Sequence, residues 1–485
     1  MTDATPSSIL IIGSGVFGLS TAYSLAKNPA YKNTKITLVD RQSFPAGDSS
    51  SAKTEIRLLH KQIDTSRIIR PDYADAAYSA LAYVAQDLWR TTEWGADGRY
   101  TEAGLALTAG PNGCPYVDES HTNVVALEPT ATSERCTLPE SRGHGRPKIE
   151  TLRSAEDVRR CAGTGGINGV QGYVNWTSGW ADAEACMRFV YGKVQATQRV
   201  RFVKGTVARL DIDFNGPQKR VRGALLTDGR ALSADLTIVA AGAWSSALLD
   251  LRGMVKATGQ TLAYVPLAPS EQAALGASPT VLNLSTGMFC IPPSQNLLKL
   301  ARHGHGYVNP ITIPHPEEPL SATNNITVSL PRTHLTTPPL PAHLPREATL
   351  ALQQLAHDLY PPGAAPHDKS FSPLPIAARP FSATRLCYYA DTPSGDFLIS
   401  YHPDYADRSL FVATGGSGHG FKFLPVIGDK IVDCIRGDCP DAFREKWAWP
   451  KERVLPEDGW AGDGSRGGPK GMVLDDEYAK SGAKL

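Results

Sequence analysis

A chain of 485 residues that is 41% hydrophobic and 20% charged has material for roughly two or three globular units with cores, which excludes a wholly disordered protein. Forty-nine basic against forty-eight acidic residues leave a formal charge of +1, so no global field points to nucleic acid or an anionic membrane, and a small-molecule partner is expected. Eight scattered cysteines (Cys114, Cys136, Cys161, Cys186, Cys290, Cys387, Cys434, Cys439) lack metal-ligand spacing and the density of a disulfide scaffold, so no metal is expected and a reducing compartment is the default.

A short polar lead runs into the apolar stretch 9–12 without the basic region and long apolar core of a signal peptide, and no stretch is long enough to span a bilayer. Gly13, Gly15 and Gly18 follow in GxGxxG order, with Val16 and Phe17 opening a helical spacing that continues over 19–25. A strand, such glycines and a helix let the backbone approach a pyrophosphate, whose charge the helix N-terminus stabilises. The second apolar strand, 35–39, ends at Asp40, with Arg41 next. An acid about twenty residues past the last glycine suits a ribose 2′-hydroxyl and disfavours a 2′-phosphate, leaving FAD or NAD.

Beyond a long link, 49–66, stand Arg67 and Arg70, whose spacing of three would also suit the exposed face of a helix. Asp182, after the aromatic segment 173–180, is placed to N-cap a helix. The run 234–245 reads as a buried strand ending at Ala240, Ala241 and Gly242, with Trp244 beyond, where a backbone can lie against a dinucleotide. Lys299 sits in an apolar alternation that favours an inward side chain, and His303 follows with His305 two residues away. Proline-rich stretches at 310–345 and 361–375 read as loops. Gly415, Gly416, Gly418 and Gly420 allow a tight turn, with His419 inside it, before a helix expected over 421–435 whose N-terminus could face the negative charge of a reduced flavin. The last three residues, Ala483-Lys484-Leu485, differ by one from the SKL address, so recognition by the peroxisomal import receptor is expected, with the cytoplasm otherwise.

The segment 234–245 resembles the second FAD signature of glutathione-reductase-like flavoproteins, and 203–207 resembles their adenine-contacting strand, with Val207 at the matching position. A nicotinamide dehydrogenase has no reason to carry both. In 385–393, Arg-Leu-Cys-Tyr-Tyr-Ala-Asp-Thr-Pro, and in 413–423 the chain resembles the family of monomeric sarcosine oxidase and fructosyl amino acid oxidase, which also includes pipecolate and saccharopine oxidases; the resemblance runs from Ile9 to about Gly437. It implies FAD bonded through its 8α-methyl group to Cys387, although a lone cysteine is usually an inert core residue. It implies Lys299 beside flavin N5 assisting the reaction with oxygen, Arg67 near the flavin, His303 and Tyr389 in the active site, and Arg70 with Lys422 holding the substrate carboxylate. Lys422 also borders the cofactor, with Gly416, Gly418, His419 and Gly420.

The implied fold is α/β, in two α+β domains: a discontinuous glutathione-reductase-like FAD-binding Rossmann domain from 1–75, 186–254 and 376–440, and an antiparallel-sheet substrate domain from 76–185 and 255–375. The tail 441–485 reads as an irregular wrap, and the protein as a monomer. Fructosyl enzymes carry an acidic stretch before the lysine, where this chain has Ile291, and acids after it, where it has 302–305, so a sugar adduct is disfavoured. Tyr388 with Tyr389 suits a less polar or aromatic amine. The pattern looks like that of fungal oxidases of isoquinoline (fumisoquin-type) alkaloid biosynthesis, implying an FAD-dependent amine oxidase that converts an N-methylated, tyrosine-derived amino acid or secondary amine to an imine or iminium with release of hydrogen peroxide, followed by ring closure. Fructosyl amino acid, saccharopine or pipecolate oxidation is the alternative.

Overall fold

The apolar run 9–12 becomes the strand Ser8–Ile12 at the heart of a six-stranded sheet, and the helix Val16–Lys27 follows directly. Across the sheet the order is Leu398–Tyr401, Leu410–Thr414, Leu236–Val239, Ser8–Ile12, Lys35–Asp40 and Val200–Lys204, all parallel except the antiparallel edge strand Leu398–Tyr401. Strand alternation sends Ile9 and Ile11 into the core shared with the helices Val16–Lys27, Ala183–Ala196 and Ile427–Arg436. Leu10 and Ile12 face the opposite side, against Leu210, Val221 and Ala224 of a three-stranded antiparallel sheet. Burial on both faces explains why these strands read as continuous apolar runs. Asp182 caps the helix Ala183–Ala196, accepting from the Ala185 amide at 2.9 Å.

This computed structural model describes residues 5–42, 44, 66–134, 145–318, 323–362, 376–455, 460, 462–480 and 482. The link up to 65, Cys136, the proline-rich residues 363–375 and the terminal tripeptide lie outside the described residues.

A ten-stranded sheet forms the second layer. Its centre is antiparallel: Lys256–Pro266 lies between Ala383–Asp391 and Leu297–Arg302, with Met288–Ser294 beyond. Thr280–Asn283 pairs in parallel with Leu105–Ala109. Directly paired residues of antiparallel strands point to one face. The register Tyr264↔Lys299, Ile291↔Lys299, Leu262↔Ala301 and Gln260↔Cys387 therefore places Lys299, Ala301, Cys387, Phe289 and Ile291 on a common face. Their neighbours Leu298, Leu300 and Leu386 turn to the other face, where the helix Arg346–Leu359 covers them.

Several expectations are corrected. The alternative of an exposed helix face for Arg67 and Arg70 falls away, since Arg67 lies on a strand, Ser66–Ile69, paired with Gly179–Asp182. That strand and Ala383–Asp391, both assigned above to the dinucleotide half, pair instead with strands of the other half. The stretch 310–345 contains an antiparallel ribbon, Pro310–Pro314 with Asn325–Ser329, whose two prolines end an edge strand and interrupt no interior ladder. The helix expected over 421–435 begins at Ile427, after a separate 3₁₀ turn, Gly420–Phe423. The tail is irregular only in part: Met472–Val473 extends the large sheet beside Tyr307–Val308, and Leu474–Lys480 is helical.

Candidate active site

A cavity of about 900 Å³ runs between the two large sheets from the first glycine turn to Arg70 and Tyr116. Its dinucleotide end tests the fit of FAD. Gly13 has φ +104°, and a Cβ there would stand 2.5 Å from the Ala240 carbonyl; a Cβ on Gly18 would stand 1.9 Å from the Gly13 carbonyl. These two glycines serve the turn and the helix packing. Gly15 differs, because a Cβ would meet nothing within 4 Å and the residue lines the cavity, the open approach a pyrophosphate requires. The helix after it has no side-chain cap and no acid in its first turn, leaving its N–H groups to an anion. Asp40 closes the far side, one carboxylate oxygen accepting from both the amide and the hydroxyl of Ser14 at 2.8 Å. Arg41 lies over the Trp244 ring at 4.3 Å. Val16, Phe17, Val207, Ala241 and Gly242 line the same space, so the residues present suit a dinucleotide such as FAD.

The face of the large sheet supplies the middle of the cavity. Lys299 is 5% exposed, and its Nζ donates to the Ser66 carbonyl at 2.9 Å. Arg67 Nη1 donates to the same oxygen at 3.0 Å, so two cations converge there. Cys387 is buried and lines the cavity, with Arg385 and Tyr389 two residues away on either side. His303 lines the cavity and His305 does not. Burial, followed by Arg466, Arg70 and Lys422, holds His303 well below the usual histidine range, so it is neutral. Tyr388 and Tyr389 both border the cavity, but not as a pair: adjacent strand residues point to opposite faces, and the Tyr388 hydroxyl accepts from the Arg332 amide at 2.9 Å and donates to its carbonyl at 3.0 Å. Arg302 likewise turns away from His303 and is forked by Glu347 at 2.7 and 3.1 Å.

At the far end Arg70 is 5% exposed, beneath Tyr73 and Tyr116, whose rings lie 5.1 and 5.8 Å from its guanidinium carbon. Its buried Nη1 has no hydrogen-bond partner. Asp72, fully buried behind it, is occupied by Tyr173 at 2.9 Å and Ser178 at 2.8 Å. Lys422 Nζ donates to the Tyr73 hydroxyl at 2.7 Å, and Tyr73 lies 2.9 Å from His419 Nδ1. His419 Nε2 faces the Gly395 carbonyl at 2.8 Å and must be the donor there, so Nδ1 accepts from Tyr73. Burial and Lys422 push His419 down to about 3, and burial together with Arg70 holds Lys422 well below the usual lysine range. Gly416, Gly418 and Gly420 line this wall; at Gly418, φ +68°, a Cβ would run into the Tyr389 ring at 2.4 Å.

Apart from Gly18, His305 and Gly415, the candidates above line this one cavity. It adds Tyr73, Tyr116 and the tail residues Asp463 and Ser465, which the sequence reading missed. Tyr73, three residues past Arg70, carried a weak positional signal; the tail carried none.

The family described as DAO, FAD dependent oxidoreductase, matches residues 8–434. The amino acid oxidase imqH of Aspergillus flavus is 35% identical over 89% of this chain and 93% of its own. The amino acid oxidase fsqB of Aspergillus fumigatus is 32% identical over 92% and 98%. Among solved structures, the fructosamine oxidase Amadoriase II of Aspergillus fumigatus matches with TM-score 0.72 and 26% identity, covering 97% of this chain and 96% of that one. The chain belongs to the DAO family of FAD dependent oxidoreductases. Within it the chain falls in the sarcosine and fructosyl amino acid oxidase group, FAD enzymes that oxidise CH–NH donors.

Proposed function

We propose that this oxidase acts on an N-substituted amino acid, N-methylated and tyrosine-derived, and converts its C–N single bond to an imine or iminium while dioxygen becomes hydrogen peroxide. The observation that carries the amino acid reading is the buried Arg70 guanidinium, which lines the cavity and whose Nη1 has no hydrogen-bond partner. A buried cation with an unused donor lacks a carboxylate, and a planar fork binds one with fixed geometry.

Bound FAD supplies the acceptor for the hydride and the route of its electrons to dioxygen. Arg70 and Lys422 hold the substrate carboxylate. Lys422, kept in place by Tyr73, orients that group while His419 stays neutral. Cys387 tethers the cofactor. Lys299, fixed on the Ser66 carbonyl, provides a positive charge where oxygen is reduced, in a site shielded from water. Aromatic walls at Tyr116, Tyr389 and Phe289 favour an aromatic substrate, and Ile291, 1% exposed on the cavity face, offers nothing to sugar hydroxyls. An iminium formed on such a substrate is electrophilic enough to be trapped by a phenol carbon, which would close a ring.

A peroxide-coupled screen of the purified holoenzyme across N-methyl amino acids, pipecolate, saccharopine and fructosyl amino acids tests the proposal. N-Methyl aromatic amino acids are expected to lead; a preference for saccharopine, pipecolate or a fructosyl adduct would replace the substrate assignment.

A further inference from the structure

The tail segment 462–468 lies over the substrate end of the cavity, and nothing in the chemistry above gives it a task. It is fastened firmly. The Gly462 amide donates to the Pro393 carbonyl at 3.2 Å. Arg466 donates to Asp391 at 2.6 Å, to the Ser417 carbonyl at 2.8 Å and to the Gly304 carbonyl at 3.2 Å. Gly467 passes so near the turn at Gly287 that a Cβ would stand 2.2 Å from the Gly287 nitrogen. Between these anchors Ser465 is buried, its Oγ lying 3.2 Å from His303 Nε2 and 2.5 Å from Asp463 Oδ1. The Ser465 amide also donates to Asp463, at 3.0 Å.

The proton positions follow from these contacts. Burial opposes charge on Asp463, but the Ser465 donors, His419 and Arg466 outweigh it and hold the carboxyl below its usual range. An ionised carboxylate only accepts, so Ser465 Oγ donates to Asp463 and must accept from His303 Nε2–H. A neutral imidazole with its proton on Nε2 carries a lone pair on Nδ1. That Nδ1 faces the Tyr389 hydroxyl at 3.4 Å.

We propose that Ser465 and Asp463 are positioning residues of the active site: they hold His303 as the Nε2–H tautomer, leaving Nδ1 to accept from Tyr389. The tyrosine oxygen then turns its own lone pairs to the cavity, where it can accept from the N–H of the substrate amine. Only this last consequence rests on the amine-oxidase reading.

The tautomer is read by NMR of the holoenzyme carrying ¹⁵N-labelled histidine, with His303→Gln used to assign the resonance. The wild type is expected to be protonated at Nε2 and bare at Nδ1. Asp463→Asn and Ser465→Ala are expected to move the proton toward Nδ1 and to lower kcat on the order of tenfold or more with little change in KM, and Ser465→Thr to restore both. A wild-type ring protonated at Nδ1, or a wild-type tautomer and kcat in both Asp463→Asn and Ser465→Ala, would overturn the proposal. Should Ser465→Ala not fold, the near-isosteric Asp463→Asn carries the test. An enzyme that oxidises no amine would defeat the functional reading and leave the spectrum to decide the relay.

Discussion

Lys299 and Cys387 stand on the same face of the antiparallel centre of the large sheet, separated by the strand Lys256–Pro266, whose Tyr264 pairs with Lys299 and whose Gln260 pairs with Cys387. Those partners stand four positions apart on the strand, an even spacing that preserves the parity of the pleat. A one-residue slip of either outer strand would turn its chemical group into the leucine-rich core on the opposite side.

That register gives Cys387 a fixed place on the cavity wall, from which we expect a thioether to the cofactor. Acid-precipitated wild-type protein should keep its yellow colour, and Cys387→Ala should release it to the supernatant. Colour lost from the wild type would rule out the bond.

Lys299→Met removes the ammonium held on the Ser66 carbonyl. Loss of one preorganised charge is expected to slow the oxygen reaction by about 10²–10³-fold while anaerobic reduction by substrate changes little. Stopped-flow measurement of each half-reaction separates the two; an equal fall in both would place Lys299 elsewhere in the chemistry.

Arg70→Ala is expected to lower kcat/KM on the order of 10²-fold or more, since truncating one member of a buried charge pair costs about 2–5 kcal/mol. Arg70→Lys should recover little, because an ammonium cannot reproduce the planar fork. Unchanged kinetics with carboxylate-bearing substrates would remove Arg70 from the substrate site.

The two adjacent tyrosines should separate cleanly. Tyr388→Phe loses only hydrogen bonds to the Arg332 backbone and is expected to cost about 1 kcal/mol of stability with activity retained. Tyr389→Phe should reduce kcat at near-wild-type stability. Paired denaturation and turnover assays check this; a comparable fall in kcat in both variants would show that both hydroxyls serve the site.

Two partly buried histidines set an acid limit. His419 is held down to about 3 by burial and Lys422, and His305 down to about 4 by burial and Lys470. Each binds a proton in the unfolded chain before it does so in the folded one, so their stability is present above about pH 6.5 and lost as pH falls toward those lowered values. Thermal melting of the holoenzyme should fall through that window, less steeply in His419→Gln. A flat profile in both proteins would contradict the burial of these rings.

What could be read from the sequence was local. Gly13, Gly15, Gly18 and Asp40 declare themselves because a phosphate turn needs those residues within one strand–helix–strand unit, and Lys299 stood out within an apolar alternation. Tyr388 and Tyr389 read as a pair only while 383–391 is not recognised as a strand, in which neighbours point to opposite faces. Asp463 and Ser465 were invisible because their importance arises only where the tail crosses His303, a long-range contact that no periodicity or spacing encodes.

The most direct test is oxygen consumption by the purified holoenzyme on N-methyl-tyrosine and on fructosyl-valine, side by side, with peroxide measured in each. Rapid uptake with stoichiometric peroxide on N-methyl-tyrosine and little on fructosyl-valine is expected from Arg70, Lys422 and Ile291. Brisk oxidation of fructosyl-valine with N-methyl-tyrosine untouched would contradict the assignment.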